Sequence, residues 1–254
     1  MIQAQARNKL NQDDFQFIVT ALRRQGEKDS TILQLLTDEE MRDALLDHPR
    51  LLEFLFAFRQ TTSISPFLYF YVLVRHALRE FKIDDRAVAD YIANLLAEFG
   101  QGHRMHRLDR HAAKEYKYLV DLMAELLDAD SEQTFHVQSH LGNYSLFLTG
   151  IFPDRVYHRA KYHPPAPDFS YYEQVGSANF QRASQHPVAE KYRLSDILYL
   201  LGQQFRQVRL ALNHVADSFL HLDRNSGATD RVIRRLDNFR EKRELDFLNT
   251  DDAD

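Results

Sequence analysis

The stretch SDILYLLGQQFRQVRLALNHVADSFLHL at 195–222 decides the fold class. Leu198, Leu201, Phe205, Val208, Leu212, Val215, Phe219 and Leu222 recur at alternating spacings of three and four, the heptad period that gathers apolar side chains on one stripe of an α-helix. A strand needs a period of two. Between them stand Gln203, Gln204, Arg206, Gln207, Asn213 and Asp217. The expected element is therefore one long helix capped at Ser195, wet on its far face, packed lengthwise along a bundle or across a dimer axis.

The rest of the chain follows the same economy. Its 254 residues hold 34 Leu against 21 Ile plus Val, with 8 Gly and 7 Pro, so good helix formers dominate and turn residues are scarce. Helix starts recur along the sequence. Asp13 or Asp14 precedes 15–24, Thr37 and Glu40 make a capping box opening 38–47, and Pro49 and Ser65-Pro66 set first-turn prolines. Asp84 precedes 86–99, and Asp130 or Ser131 opens a helix that runs to Ile151 and ends at Pro153. Val137, Leu141, Tyr144, Leu148 and Ile151 share a face of that helix. These signals predict a single all-α domain over 1–248, a multi-helix bundle of about nine or ten helices of ordinary length, with the almost wholly apolar 67–81 at its centre. Residues 228–254 read as a last helix and an acidic tail.

Composition also removes functions. With no Cys, disulfides, thiol nucleophiles, Cys-ligated zinc and iron–sulfur clusters are excluded. A net charge of −5 and a pI near 6.2 argue against wholesale binding of nucleic acid or anionic membrane. The longest apolar run, 67–74, is far short of the roughly 20 residues that cross a bilayer, and the polar 1–12 carries no secretory pattern. A cytoplasmic protein is expected. No Walker loop, nucleophile elbow, His-Glu-x-x-His or Glu-x-x-His occurs, and Gly100-x-Gly102 lacks both the third glycine and the preceding strand of a dinucleotide loop.

Three sets of residues stand out as candidate sites. His136 and His140 lie one helical turn apart, about 6 Å along the axis, and could chelate a transition metal with ligands from another helix; Glu132 and Asn143 extend their row, but Glu132 is about 12 Å from His140 along the axis and cannot share an ion with it, while Asp217 beside His214 or beside His221 on the long helix offers a partner. Neighbour-satisfied core histidines are the bland alternative. Arg104, Arg107 and Arg110 form a basic stretch that, with Arg159, would bind phosphate or another anion. Residues 149–193 contain no Leu but five of the seven Pro, and read as a crossover over the bundle surface, where Tyr157, Tyr162, Tyr171 and Tyr172 would contact a partner. Arg75, placed directly after the apolar run, calls for a carboxylate if buried.

The phrases FLYFYVLVRH (67–76), HLGNYSLFLTGIFP (140–153) and SYYEQ (170–174) resemble those of an uncharacterised, helix-rich bacterial protein family, over roughly residues 35–222. The resemblance implies a bacterial, soluble, helical protein and no activity, cofactor or catalytic residue. The expected function is an interaction or regulatory module without chemistry of its own, joined to a protein partner or to a second copy as a homodimer. The alternatives are a His-based metal or haem enzyme or sensor, and a binder of phosphorylated ligands.

Overall fold

A computed structural model describes residues 1–23, 34–57, 64–108, 114–116 and 118–220. Every regular element among them is helical, and none of these helices is long and apolar enough to cross a membrane. The expected helix at 228–254 and the end of the heptad stripe, His221 and Leu222, lie outside the described residues. The chain divides into two compact units, 2–98 and 99 onward.

In the first unit a short 3-10 turn, Arg7–Lys9, precedes α1 (Gln12–Leu22), α2 (Glu39–Leu46), α3 (Pro49–Ala57), α4 (Pro66–Glu80) and α5 (Arg86–Phe99). The start of α1 lies earlier than the acidic pair suggests. Asn11 is its cap, and Asp14 completes a reciprocal capping box by accepting from the Asn11 amide at 2.9 Å. Asp14 is fully buried because it also accepts from the Ser65 amide and hydroxyl, both at 2.7 Å, while the Ser65 hydroxyl caps α4. One carboxylate thus starts two helices. The apolar α4 buries Leu68, Tyr71, Leu73, Val74 and Leu78, and α5 buries Val88, Ile92, Leu95 and Leu96. At the start of α5, Asp85 rather than Asp84 accepts from the amides of Ala87 and Val88; Asp84 is held instead by Arg75.

The second unit is built on α7 (Ser131–Ile151), reached through α6 (Leu119–Ala124). Asp130 caps it, accepting from the Gln133 amide at 2.8 Å. Val137, Leu141, Tyr144 and Leu148 do share a core, with Tyr116, Leu119, Leu122, Val156 and Tyr172. The helix is buried on its other side as well, from Ser139 without a break to Ile151, because it lies among α9 (Phe169–Ser184) and α12 (Phe205–Val215).

Two expectations change here. The Leu-free stretch is not an irregular crossover but carries α8 (Pro153–Tyr162), α9 and α10 (Pro187–Lys191). Leucine is absent from α9 because its inward positions are crowded: Gly176, Asn179, Phe180 and Ala183 are buried there against α7 and α11 (Ser195–Gln203). The heptad stripe, in turn, runs over two helices, α11 and α12, broken at Gln204, and then a π-helical turn, Ala216–Leu220. Leu198, Leu201, Phe205, Val208, Leu212 and Val215 are all buried within the chain. Nor is the far face uniformly wet, since Arg209 and Asn213 are buried too.

Glycines make this packing fit. A Cβ on Gly176 would meet the Phe205 ring at 2.3 Å and one on Gly142 the Phe180 ring at 2.5 Å. Helix propensity alone favours alanine by about 1 kcal/mol. Even so, Gly176→Ala is expected to lower stability by about 1–3 kcal/mol through overpacking, read as a lower urea midpoint; an unchanged midpoint would show that α9 and α12 can separate freely.

Candidate functional site

Among the described residues, polar groups converge within 2–98, in an open cleft of about 660 Å³ lined by four arginines, four aspartates and Ala87. α2 supplies Asp43 and, at its C-terminal cap, Asp47. α4 supplies Arg75 and Arg79, the turn before α5 supplies Asp84 and Asp85, and α5 itself opens with Arg86. The 3-10 turn adds Arg7.

These charges hold one another in place. Arg75, buried, forks onto Asp47, with Nε donating to Oδ1 at 2.8 Å and Nη2 to Oδ2 at 3.1 Å, and Nη2 also reaches Asp84. Arg86 Nε donates to Asp47 Oδ2 at 2.9 Å. Burial opposes the charge on Asp47, but the Arg75 and Arg86 guanidiniums outweigh it and hold the carboxyl below its ordinary range. Arg7 donates through Nη1 to Asp43 and through its backbone amide to Asp90 Oδ1 at 2.7 Å. Burial raises the Asp90 carboxyl above its usual range, with Arg7 pulling the other way.

These charged residues and the Tyr71 that packs under Arg7 leave bonding capacity unused. Asp43 Oδ1, Arg75 Nη1, Arg7 Nε and the Tyr71 hydroxyl are buried atoms with no hydrogen-bond partner; Arg7 Nε has only an ion-pair contact with Asp90 at 3.5 Å. Tyr71 is fully buried, and the Arg7 guanidinium sits 5.8 Å from its ring centre. Burial pushes its phenol well above the ordinary range, so it stays protonated and can donate. Native proteins rarely leave such groups unmatched, and each costs about 1–3 kcal/mol when it is. Of these residues sequence reasoning singled out Arg75 alone. The only further signal was Asp43 and Asp47 one turn apart on α2 and its cap; nothing marks Arg7, which reaches the cleft through folding.

The residues expected to bind metal are not brought together. His140 is buried, and its Nε2 lies 3.0 Å from the Met105 carbonyl, which can only accept, so this nitrogen carries the proton. Burial foremost, with the Arg104 charge, lowers its pKa to about 3. His136 is half-buried, 3.9 Å from Glu132 and with its ring edge on Phe135. Asn143 is buried in the core, and His214 packs on Phe219. Among the described residues no three His, Asp or Glu side chains converge as a metal site.

The anion candidates each have their own surroundings. Arg104 is buried, stacked 5.9 Å from Phe99 and donating to the Arg107 carbonyl. Arg107 pairs with Glu115 at 2.6 Å. Arg110 lies outside the described residues. Arg159 is exposed on α8 one turn from Arg155, and both act electrostatically on the buried Tyr144 and Tyr172; a shallow recess runs between them. Of the partner-contact tyrosines, Tyr172 belongs to the core, Tyr157 is half-buried beneath Lys161, and Tyr162 and Tyr171 are exposed.

No family description, curated protein or solved structure matches this chain.

Proposed function

We propose that the protein is a helical binding module without chemistry of its own, and that it recognises a small polar ligand in the arginine–aspartate cleft. The observation that carries this reading is the gathering of three unsatisfied, buried polar atoms, on Arg7, Asp43 and Arg75, among the residues that line one cleft. A volume of about 660 Å³ falls in the range of small-molecule sites. The charges around those atoms are already paired, so the framework is rigid before any ligand arrives, which lowers the entropic cost of binding.

A regulatory role fits the same reading. A ligand that binds only the folded state stabilises it by mass action, by about 2.7 kcal/mol at a hundred times its dissociation constant. A thermal-shift screen of the full chain against small polar metabolites is therefore expected to return compounds that raise Tm by several degrees. Ala87→Trp, which places a large ring on the cleft wall, is expected to abolish the shift. If no compound moves Tm, or if the variant responds as the wild type does, the proposal fails.

A second reading rests on Arg155 and Arg159, one turn apart on α8 and unpaired with any carboxylate among the described residues. It assigns phosphorylated ligands to that helix. In the same screen such ligands would stabilise Ala87→Trp undiminished and lose their effect in Arg155→Ala.

A further inference from the structure

Arg155 and Arg159 share one recess in the unit formed by 99–220, and its lining bears on the class of ligand. The inference rests on the second reading, that phosphorylated ligands bind α8. Both side chains are exposed, so their guanidiniums are open to a ligand in the folded protein. They line the recess with Tyr172 and with apolar residues of α7, α8 and the turn before α9. Both also act on the phenols of Tyr144 and Tyr172, which burial keeps protonated, so the two cations stand on the same side of α8.

No carboxylate answers them. Neither guanidinium has an ion-pair or hydrogen-bond partner among the described residues. Asp154, the one acid of α8, is buried, and Asp168, the next along the chain, caps α9 by accepting from the Tyr171 amide at 2.9 Å. Neither lines the recess. Glu173 on α9 is taken by Arg209 at 2.6 Å. The side chains of the recess therefore present two positive charges and a phenol, with no acid among them.

A guanidinium donates and cannot accept, so the missing complement is an anion with several acceptor oxygens. A carboxylate brings two oxygens and one charge. The terminal phosphoryl group of a monoester brings three oxygens and close to two charges at neutral pH, and arginine meets it through paired N–H···O bonds. Two unopposed cations favour the dianion. The recess is shallow, so it takes the charged end of a ligand and leaves the organic part outside.

We infer that Arg155 and Arg159 together hold a terminal phosphoryl dianion, of a phosphate monoester or of free phosphate, at the mouth of this recess. Titration of the isotope-labelled full chain, followed by NMR at pH 8 where histidines are neutral, tests this. The probes are methyl phosphate, glycerol phosphate and AMP as monoesters, dimethyl phosphate and cyclic AMP as singly charged diesters, acetate, and inorganic phosphate. The monoesters are expected to saturate shifts on α8 with similar affinity whatever their bulk, about tenfold or more tighter than diesters and acetate. AMP against cyclic AMP isolates the charge, since both carry the same nucleoside. Arg155→Ala and Arg159→Ala are each expected to weaken monoester binding about tenfold with the melting temperature unchanged, because both side chains are exposed.

Inorganic phosphate as tight as the monoesters supports the site and assigns it to free phosphate; weaker phosphate binding supports it and assigns it to monoesters. Diesters or acetate that match the monoesters, and are lost in Arg155→Ala, overturn the choice of a dianion while the second reading stands. Monoester binding that either single variant leaves unchanged overturns the shared site. Shifts that spread over basic residues elsewhere without saturating, or binding by none of the probes, overturn the inference and the second reading together.

Discussion

Arg209→Ala is expected to cost the unit formed by 99–220 about 3 kcal/mol or more, among the largest losses for a single side chain in this protein. Arg209 is 1% exposed. Its Nε donates to Glu173 Oε1 at 2.6 Å and its Nη1 to Asn213 Oδ1 at 3.1 Å, and its guanidinium lies 4.9 Å from the Phe169 ring centre. Asn213 in turn donates to the carbonyls of Thr149 and Gly150 at 2.7 and 2.9 Å. One cation therefore ties α12 to α9 and, through Asn213, to α7.

Truncation leaves Glu173 short of its counter-charge and Asn213 short of a donor, and breaking a buried pair from one side typically costs about 3–5 kcal/mol. The double variant Arg209→Met with Glu173→Gln removes both charges at similar volume and is expected to recover most of the loss. Urea denaturation measures both. A destabilisation of under about 1 kcal/mol for Arg209→Ala would show that the network is incidental to the packing.

The second large effect is acid sensitivity traced to His140. Its folded pKa of about 3 lies below the ordinary value of 6.5, so the folded state resists a proton that the unfolded state accepts. Stability is then fully present above pH 6.5 and declines as pH falls toward 3, with a contribution of about 2 kcal/mol already lost at pH 5. The surroundings offer the imidazolium no relief: Arg104 and His106 both oppose it, and only the Met105 carbonyl favours it. His140→Gln keeps a donor for that carbonyl without titrating. Wild type should therefore lose about 2 kcal/mol more than the variant between pH 7 and pH 5, and equal losses in the two proteins would refute the assignment.

The same residue shows how far sequence reading reaches. The spacing of His136 and His140 fits chelation, and on an isolated helix both rings would point to one side. Whether either ring is available depends on Met105, 35 positions earlier, and no local pattern reports that. Arg75 is the converse case. A charged side chain directly after eight apolar residues required a carboxylate partner if buried, and the structure supplies Asp47 and Asp84. The requirement was legible because desolvation is a property of the residue itself; the partners were not, because they come from 28 and 9 positions away.

The cleft extends this point. Arg7, Asp43 and Arg75 are ordinary residues in three separate segments, and their chemistry appears only when the chain leaves polar atoms of each buried with bonds unmade. The Leu-free stretch errs in the other direction. Its prolines mark real helix starts at Pro153 and Pro187, but a lack of leucine also arises where helices approach too closely for one, as at Gly176 and Ala183.

By itself the sequence determined that this is a helical protein, where about half of the described α-helices begin, and that much of the apolar run after Ser65-Pro66 and the stripe from Leu198 to Val215 are buried. Those properties follow from periodicity, capping and hydrophobicity, which act within a few residues along the chain. Only the tertiary structure decided that the stripe bends at Gln204, that residues 153–191 pack as helices, that His140 is closed off, and that an arginine–aspartate cleft exists. Each depends on hydrogen bonds and steric limits between residues tens of positions apart, and those come into being only when the helices meet.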